Sequence, residues 1–394
     1  MVTRAASLAS RSAAEEIAQR PTLCHLTTAH TSLKSRSFHR ECLPLAAAGL
    51  RVRYLAPVER SMSRDGIDVL ALPKSTGLAR HLALPRLLVT ALRQDASVYH
   101  FQDPQLLPVA FALKVLFRRR VIYDAYEDFP SMAAQKRRIP RYLRNIVARA
   151  IAVLEGLAAR LFDGIITADS ATLRRFGRAG ASRKVVFYNF PNLRFFPAPR
   201  PLSRSFDIVY RGGLSERTGT LLLLEALKLL ESAGRYSRLL LLGYFDDAAS
   251  EKILRNRLRE LGLDSQVEIR GRIDHEDMAA ALGEARIGVS PLLATPKFLR
   301  NIPVKIFEYW ACGLPVVASD LPPGRPFFRD GQAGKLVPPG NAIELARSIA
   351  WLLDHPDAAA RMGANGRKLV VQRFNNGPES LKLRRFVDQI AGAE

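Results

Sequence analysis

Cysteine is scarce in this 394-residue chain: Cys24, Cys42 and Cys312 are the only three, far apart and without a C-x-x-C spacing. That pattern speaks against a disulfide framework or a thiolate zinc site and fits a reducing compartment, the cytoplasm. Long hydrophobic runs are missing too. The best stretches, 104–117 and 146–166, are short or broken by charges, below the roughly 20 apolar residues a membrane-spanning helix needs. The first twenty residues lack a continuous apolar segment, and Glu15 and Glu16 oppose a signal or transit peptide, so a frayed extension is expected over 1–20. No Asp-x-Asp, Walker loop or G-x-G-x-x-G occurs, which leaves metal-held diphosphate, triphosphate hydrolysis and dinucleotide redox chemistry without support.

Carboxylates are also in short supply, 37 against 59 Lys and Arg, for a formal charge of +22. The imbalance is N-terminal: residues 1–200 hold 32 cations and 14 carboxylates, the remainder 27 and 23. Between Phe129 and Leu154 stand six cations (Lys136, Arg137, Arg138, Arg141, Arg144, Arg149) and no carboxylate. Such a face fits an anionic membrane surface, a polyanionic acceptor or nucleic acid, or simply keeps the protein soluble. Only Tyr142 interleaves with the cations over 136–149, so base stacking and hence nucleic acid are poorly supported. An amphipathic basic helix over 140–162 suits a membrane surface better.

What is present is a repeated alternation of short apolar runs with helical patterns, the signature of parallel sheets with crossover helices. Strands are expected at 21–27, 51–56, 67–72, 97–101, 120–124 and 164–168, with helices at 36–49, 104–117, 140–162 and 170–178. An aperiodic stretch from Val185, rich in proline and arginine, reads as a linker. A second series follows: strands 206–212, 238–243, 266–271, 286–292 and 315–319, and helices 217–233, 247–262, 275–284 and about 303–312. The organisation expected is an N-terminal Rossmann-like domain over 21–195, a C-terminal one over 196–375, and a helix within 376–394 crossing back to the first domain. Ligands would bind in a cleft at the carboxyl ends of the strands.

The sharpest local signal is NIPVKIFEYWACGLPVVASD (301–320). Glu308 lies on a helix ending at Gly313, just before an apolar strand, and a carboxylate there can accept both hydroxyls of a ribose. Lys305, one turn earlier on the same face, can meet a phosphate, though an exposed Lys/Glu pair has the same spacing. In YRGGLSERTG (210–219), Gly212 and Gly213 permit close backbone approach, and Arg217 at a helix start adds a forked donor, or merely a surface arginine on a tight turn.

These segments resemble the donor site of the family 4 glycosyltransferases, enzymes of GT-B fold that retain anomeric configuration. The resemblance continues through RGRID (270–274), GQAGKLVPPGN (331–341) and residues 352–374, and more loosely through RSFHRECLPLAAAGLRV (36–52), VYHFQDPQLLP (98–108), VIYDAYEDFP (121–130) and VFYNFPN (186–192). It implies an α/β chain of two Rossmann-like doubly wound parallel-sheet domains facing across a cleft. It also implies transfer of a sugar from a nucleotide-sugar donor, UDP- or GDP-sugar first, to a membrane-associated, lipid-linked or polysaccharide acceptor at the inner face of the membrane. By the same resemblance His100, Arg217, Lys305 and Glu308 are the catalytic set, and Gly212, Gly213, Gly271, Arg272, Ile273 and Tyr309 join Arg217, Lys305 and Glu308 around the donor. Arg36, Asp103, Asp124, Tyr126, Glu127 and Asp128 join His100 on the acceptor or cleft side. No cofactor or metal is expected, because arginine, lysine and helix N-termini stabilise the departing diphosphate. Transfer would proceed on the front face without a stable covalent intermediate, the leaving phosphate helping to deprotonate the acceptor.

Departures from the family pattern are specific. Arg300 replaces the first glutamate of the usual Glu-x7-Glu pair, Gly213 the usual arginine, Thr218 the usual cation before Gly219, Tyr126 the usual histidine and Lys34 the usual aspartate. A nucleotide-sugar epimerase of the same architecture, and a degenerate relative acting as an anionic-surface binding protein, stay open as alternatives.

Overall fold

The computed structural model describes residues 21–28, 33, 37–75, 77–135, 139–177, 183–199, 204–245, 247–329 and 332–392. The 1–20 segment, Lys34, Arg36, Lys136, Arg137 and Arg138 lie outside the described residues. Two compact units divide the chain: one runs to Tyr188 and resumes at Gly377, the other is Asn189–Asn376.

The first unit holds β1 (Thr22–Leu26), β2 (Arg51–Ala56), β3 (Met62–Arg64), β4 (Ile67–Ala71), β5 (Val98–Phe101), β6 (Val121–Ala125), β7 (Gly164–Thr167) and β8 (Arg183–Val186). They form one sheet in the order β3-β4-β2-β1-β5-β6-β7-β8. All pairings are parallel except β3 with β4. Every residue of β5, β6 and β7 is buried, as a parallel strand covered on both faces requires.

Two helices expected as continuous are broken. Over 104–117 the chain makes a 3-10 turn (Pro104–Leu106), a short α-helix (Leu107–Phe111) and a π-type turn (Ala112–Leu116). Pro108 has no N–H to offer the carbonyl of Pro104, so one α-helical ladder cannot start there. Pro44 acts likewise toward Arg40, and 36–49 becomes a π-type turn (Ser37–Cys42) followed by the helix Leu43–Ala47.

The expected linker begins too early. Residues 183–186 are the edge strand β8, and Phe190 already packs its ring against Phe307 (4.8 Å between centroids) and Phe374 (5.4 Å) in the second unit. From Gly377 onward the helix Asn376–Ala391 belongs to the first unit, where Phe386 and Ile390 enter the core and Glu379 accepts the Tyr188 N–H at 2.8 Å. A Cβ on Gly164 of β7 would stand 2.5 Å from Ile390 Cδ1, so the helix rests directly on the strand.

In the second unit β9 (Phe206–Leu214), β10 (Leu239–Phe245), β11 (Val267–Arg270), β12 (Ala285–Ser290), β13 (Val316–Ser319) and β14 (Gly334–Val337) are all parallel. Their order, β11-β10-β9-β12-β13-β14, is doubly wound, with the direction of winding reversing between β9 and β12. That reversal is the place where open α/β sheets bind ligands, and in the first sheet it falls between β1 and β5. The helix expected from 217 starts at Thr220 instead. Arg217 stands in a preceding 3-10 turn, Glu216–Thr218, closed by a Ser215–Thr218 capping box and by Gly219 in the left-handed region at φ 78°.

Candidate functional site

At the β9–β12 reversal the short helix Lys305–Ala311 is buried from Ile306 onward. Tyr309 fixes it: the hydroxyl accepts the Arg211 N–H at 2.8 Å and donates to the Val289 carbonyl at 3.1 Å, joining β9 to β12. Tyr309, expected among the donor contacts, is wholly buried with its hydroxyl committed inside the sheet. Glu308 is 0 % exposed, and its Oε2 lies 3.1 Å from Nη1 of Arg211, whose side chain is 29 % exposed.

Lys305 Nζ sits 3.9 Å from the centroid of the Tyr210 ring. It is also 3.0 Å from the point where a Cβ on Gly212 would stand; Gly212 has φ 138°. Burial holds the Lys305 ammonium well below the usual lysine range; the Arg211 charge adds to this and Glu308 opposes it. The structure thus brings Lys305 and Glu308 together, as their spacing suggests, and adds Arg211. Sequence reasoning passed over Arg211, although a charge inside the apolar run FDIVYRG was a readable signal.

Around this centre Arg217 is exposed, and Thr218 Oγ1 lies 2.8 Å from the Gly213 carbonyl, closing the loop after β9. Beyond β11, Gly271 accepts the Gly243 N–H at 3.1 Å, Arg272 lies over the Tyr244 ring at 4.7 Å, and Ile273 is half-buried. All of these stand at the carboxyl ends of β9, β10 and β11.

The first unit concentrates polar groups at its own reversal. His25 of β1 and His100 of β5 are register partners, with Nδ1 atoms 3.0 Å apart, and His25 stacks on Tyr54 at 5.0 Å. His100 Nε2 faces Glu41 Oε2 at 3.8 Å. Gln102 donates to Glu41 (2.9 and 3.0 Å) and to Asp124 (2.7 Å). At 1 % exposure His100 is built into this network.

His25, Glu41 and His100 place ligand atoms within 4.8 Å of one another. The Nδ1–Nδ1 contact has the length of a hydrogen bond through one shared proton, so a metal held by this cluster would have to use the Nε2 atoms or displace that proton. His25, Glu41 and Gln102 escaped sequence reasoning because His25 meets His100 only through strand register, and Glu41 and Gln102 join them only in the tertiary fold.

The expected carboxylate cluster at 124–128 is divided. Asp124 is buried beneath Gln102, while Asp128 accepts from Ser131 (N–H at 3.2 Å, Oγ at 2.6 Å) and from Arg175 (3.2 Å). Glu127 is half-buried, and Tyr126 meets Phe129 edge-on at 5.4 Å. Asp103 turns back to β1, accepting from Thr27 Oγ1 at 3.0 Å and from the Thr28 N–H at 2.9 Å.

Comparison with known proteins bears on both units. The family described as "Glycosyl transferases group 1" matches residues 205–355, which contain Arg211, Lys305 and Glu308. Over 185 residues, 47% of this chain, the sequence is 30% identical to a phosphatidyl-myo-inositol mannosyltransferase of Mycobacterium leprae. The match spans 46% of that relative, so the chain covers about half the length of the curated protein it resembles. Among solved structures, sucrose-phosphate synthase from Thermosynechococcus elongatus superposes with a TM-score of 0.75 at 22% identity, covering 95% of this chain and 100% of that one. HepE from Anabaena, solved with UDP and glucose, gives 0.71 at 18% identity with the same coverage. Residues 205–355 are therefore a glycosyl transferases group 1 domain, carried on a chain of GT-B fold.

Proposed function

We propose that the protein transfers a sugar from a nucleoside diphosphate donor, a UDP- or GDP-sugar first, to a membrane-associated or polysaccharide acceptor with retention of configuration. The observation that carries this reading is the Arg211–Glu308 pair together with Lys305 packed against the bare backbone of Gly212, at the winding reversal of the matched domain. A carboxylate beside a cation at that place suits a ribose joined to a diphosphate. Lys305 and Arg217 supply positive charge as the glycosidic bond opens, the work a metal does elsewhere. His100, His25 and Glu41 set the shape of the first unit's polar floor. The test is transfer from UDP- and GDP-sugars to a bacterial lipid extract, following product and free diphosphate. An acceptor-dependent product of retained configuration is expected. Donor turnover without acceptor would mean an epimerase or hydrolase, and an inverted product would end the retaining mechanism.

Apposition to an anionic membrane, at the cytoplasmic face, is part of the same proposal. Among the described residues no helix is long and apolar enough to cross a membrane. The helix Arg141–Leu161 nonetheless exposes Tyr142, Leu143, Ile146, Val153, Leu157 and Leu161 together with Arg141, Arg149 and Arg160. Its one carboxylate, Glu155, is buried, so the exposed face is apolar and cationic, as peripheral helices on anionic lipid are. Binding to anionic vesicles, released by high salt and weakened by Ile146→Glu, is expected; equal binding to zwitterionic vesicles would refute electrostatic docking.

A further inference from the structure

Glu308 has no exposed surface, so in this conformation no ligand reaches its carboxylate. Among the described residues, a partly exposed group in contact with it is the guanidinium of Arg211, 3.1 Å away. A ribose that bound Glu308 would have to displace this contact. A guanidinium carries five N–H donors in a planar fork and keeps its charge at any ordinary pH. One short contact to one carboxylate oxygen leaves donors for a second anion. Lys305, by contrast, is half-buried, and its ammonium is disfavoured both by desolvation and by Arg211. Diphosphate oxygens approaching Gly212 would meet the Lys305 amine, 3.0 Å from the point where a Cβ would stand, and beside it Arg211 is the cation whose charge does not depend on pH.

We propose that Arg211 is a donor-recognition residue that covers and orients Glu308 and turns toward the diphosphate when the ribose takes Glu308. The proposal rests on the nucleotide-sugar reading of this site. It makes donor entry an exchange of partners: the Arg211–Glu308 ion pair opens, and two charge-assisted contacts to the ligand replace it. Nucleoside and diphosphate then respond to Arg211 in opposite senses, because one competes with the arginine and the other recruits it.

The test is calorimetric titration of the full-length protein with UDP and GDP and with uridine and guanosine. Wild type is compared with Arg211→Ala, Arg211→Lys, Glu308→Gln and the double variant Arg211→Gln/Glu308→Gln. Arg211→Ala should weaken the diphosphate about ten-fold or more while leaving nucleoside affinity unchanged or improved, with Arg211→Lys between. If Arg211→Ala leaves a buried charge that prevents folding, the double variant compared with Glu308→Gln alone should show the same selective loss. Equal weakening of nucleoside and diphosphate, or no change in either, overturns the proposal. The nucleotide-sugar reading is judged separately by wild type: it fails if neither diphosphate binds, whereas diphosphate binding that Glu308→Gln weakens supports it whatever Arg211 does.

Discussion

Nδ1 of His25 lies 3.0 Å from Nδ1 of His100 across the junction of β1 and β5, and both rings are buried. Two imidazole nitrogens at that distance need one proton between them, so the rings take complementary tautomers. The polarity of the pair follows from Glu41. If His100 accepts at Nδ1, its Nε2 carries hydrogen and faces the carboxylate favourably; the reverse arrangement sets a lone pair against a carboxylate oxygen. His25→Phe keeps a ring on Tyr54 but removes the donor. It should cost about 1–3 kcal/mol in urea unfolding. A neutral result would mean the contact is not a hydrogen bond.

Lys305 gives a prediction for ligand binding. Burial first, and then Arg211, disfavour its ammonium, whereas a bound diphosphate favours it. Donor binding should therefore take up a proton, and affinity should fall as pH rises through the folded-state pKa of Lys305. Calorimetry in two buffers of different ionisation enthalpy measures the uptake directly. Lys305→Met should abolish it, and uptake persisting in that variant would place the proton elsewhere.

Glu155 sets a pH dependence of stability. Burial, reinforced by the charge of Asp128 and opposed by Arg175 and the Tyr123 hydroxyl, raises its pKa to about 7. In the unfolded chain the same group sits near the ordinary glutamate value of 4.5. Between these values the unfolded chain has released a proton that the folded protein still holds, so stability falls as pH rises. Below this window the contribution is fully present; above it the loss is complete. The urea midpoint of wild type, set against Glu155→Gln, should drop from pH 5 to pH 8, and parallel pH curves would contradict the assignment.

Gly219 joins the 3-10 turn to the helix Thr220–Ser232 at φ 78°, and a Cβ there would stand 1.8 Å from the Pro291 carbonyl oxygen. Gly219→Ala meets both an unfavourable backbone region and a backbone atom that cannot step aside. A loss of about 2 kcal/mol or more is expected in chemical unfolding. A change below about 0.5 kcal/mol, typical of surface substitutions, would show that the turn relaxes freely.

The central strands were legible because a parallel strand covered on both faces must be apolar throughout; Leu239–Leu242 and Val316–Ala318 are of this kind. The edge strand Met62–Arg64, exposed along its whole length, left no pattern, and the helices Gly77–Leu82 and Leu84–Leu92 were not assigned. Prolines 44 and 108 sit inside runs whose hydrophobic spacing is helical, and their missing N–H groups outweigh that spacing. The linker hid Phe190, whose partners Phe307 and Phe374 lie more than a hundred residues downstream. Lys305 and Glu308 could be read together because one helical turn joins them. Arg211 reaches Glu308 only through the packing of the helix Lys305–Ala311 against β9, and His25 reaches His100 only through sheet register, neither of which local periodicity contains.

The most direct measurement of the central claim is binding of UDP-, GDP-, ADP- and TDP-sugars to the purified protein, with Glu308→Ala and Lys305→Ala beside wild type. Tight binding of one donor, lost in Glu308→Ala and weakened in Lys305→Ala, is the predicted result. Absence of binding by folded wild type, or binding that both variants retain in full, would contradict a nucleotide-sugar site at Glu308.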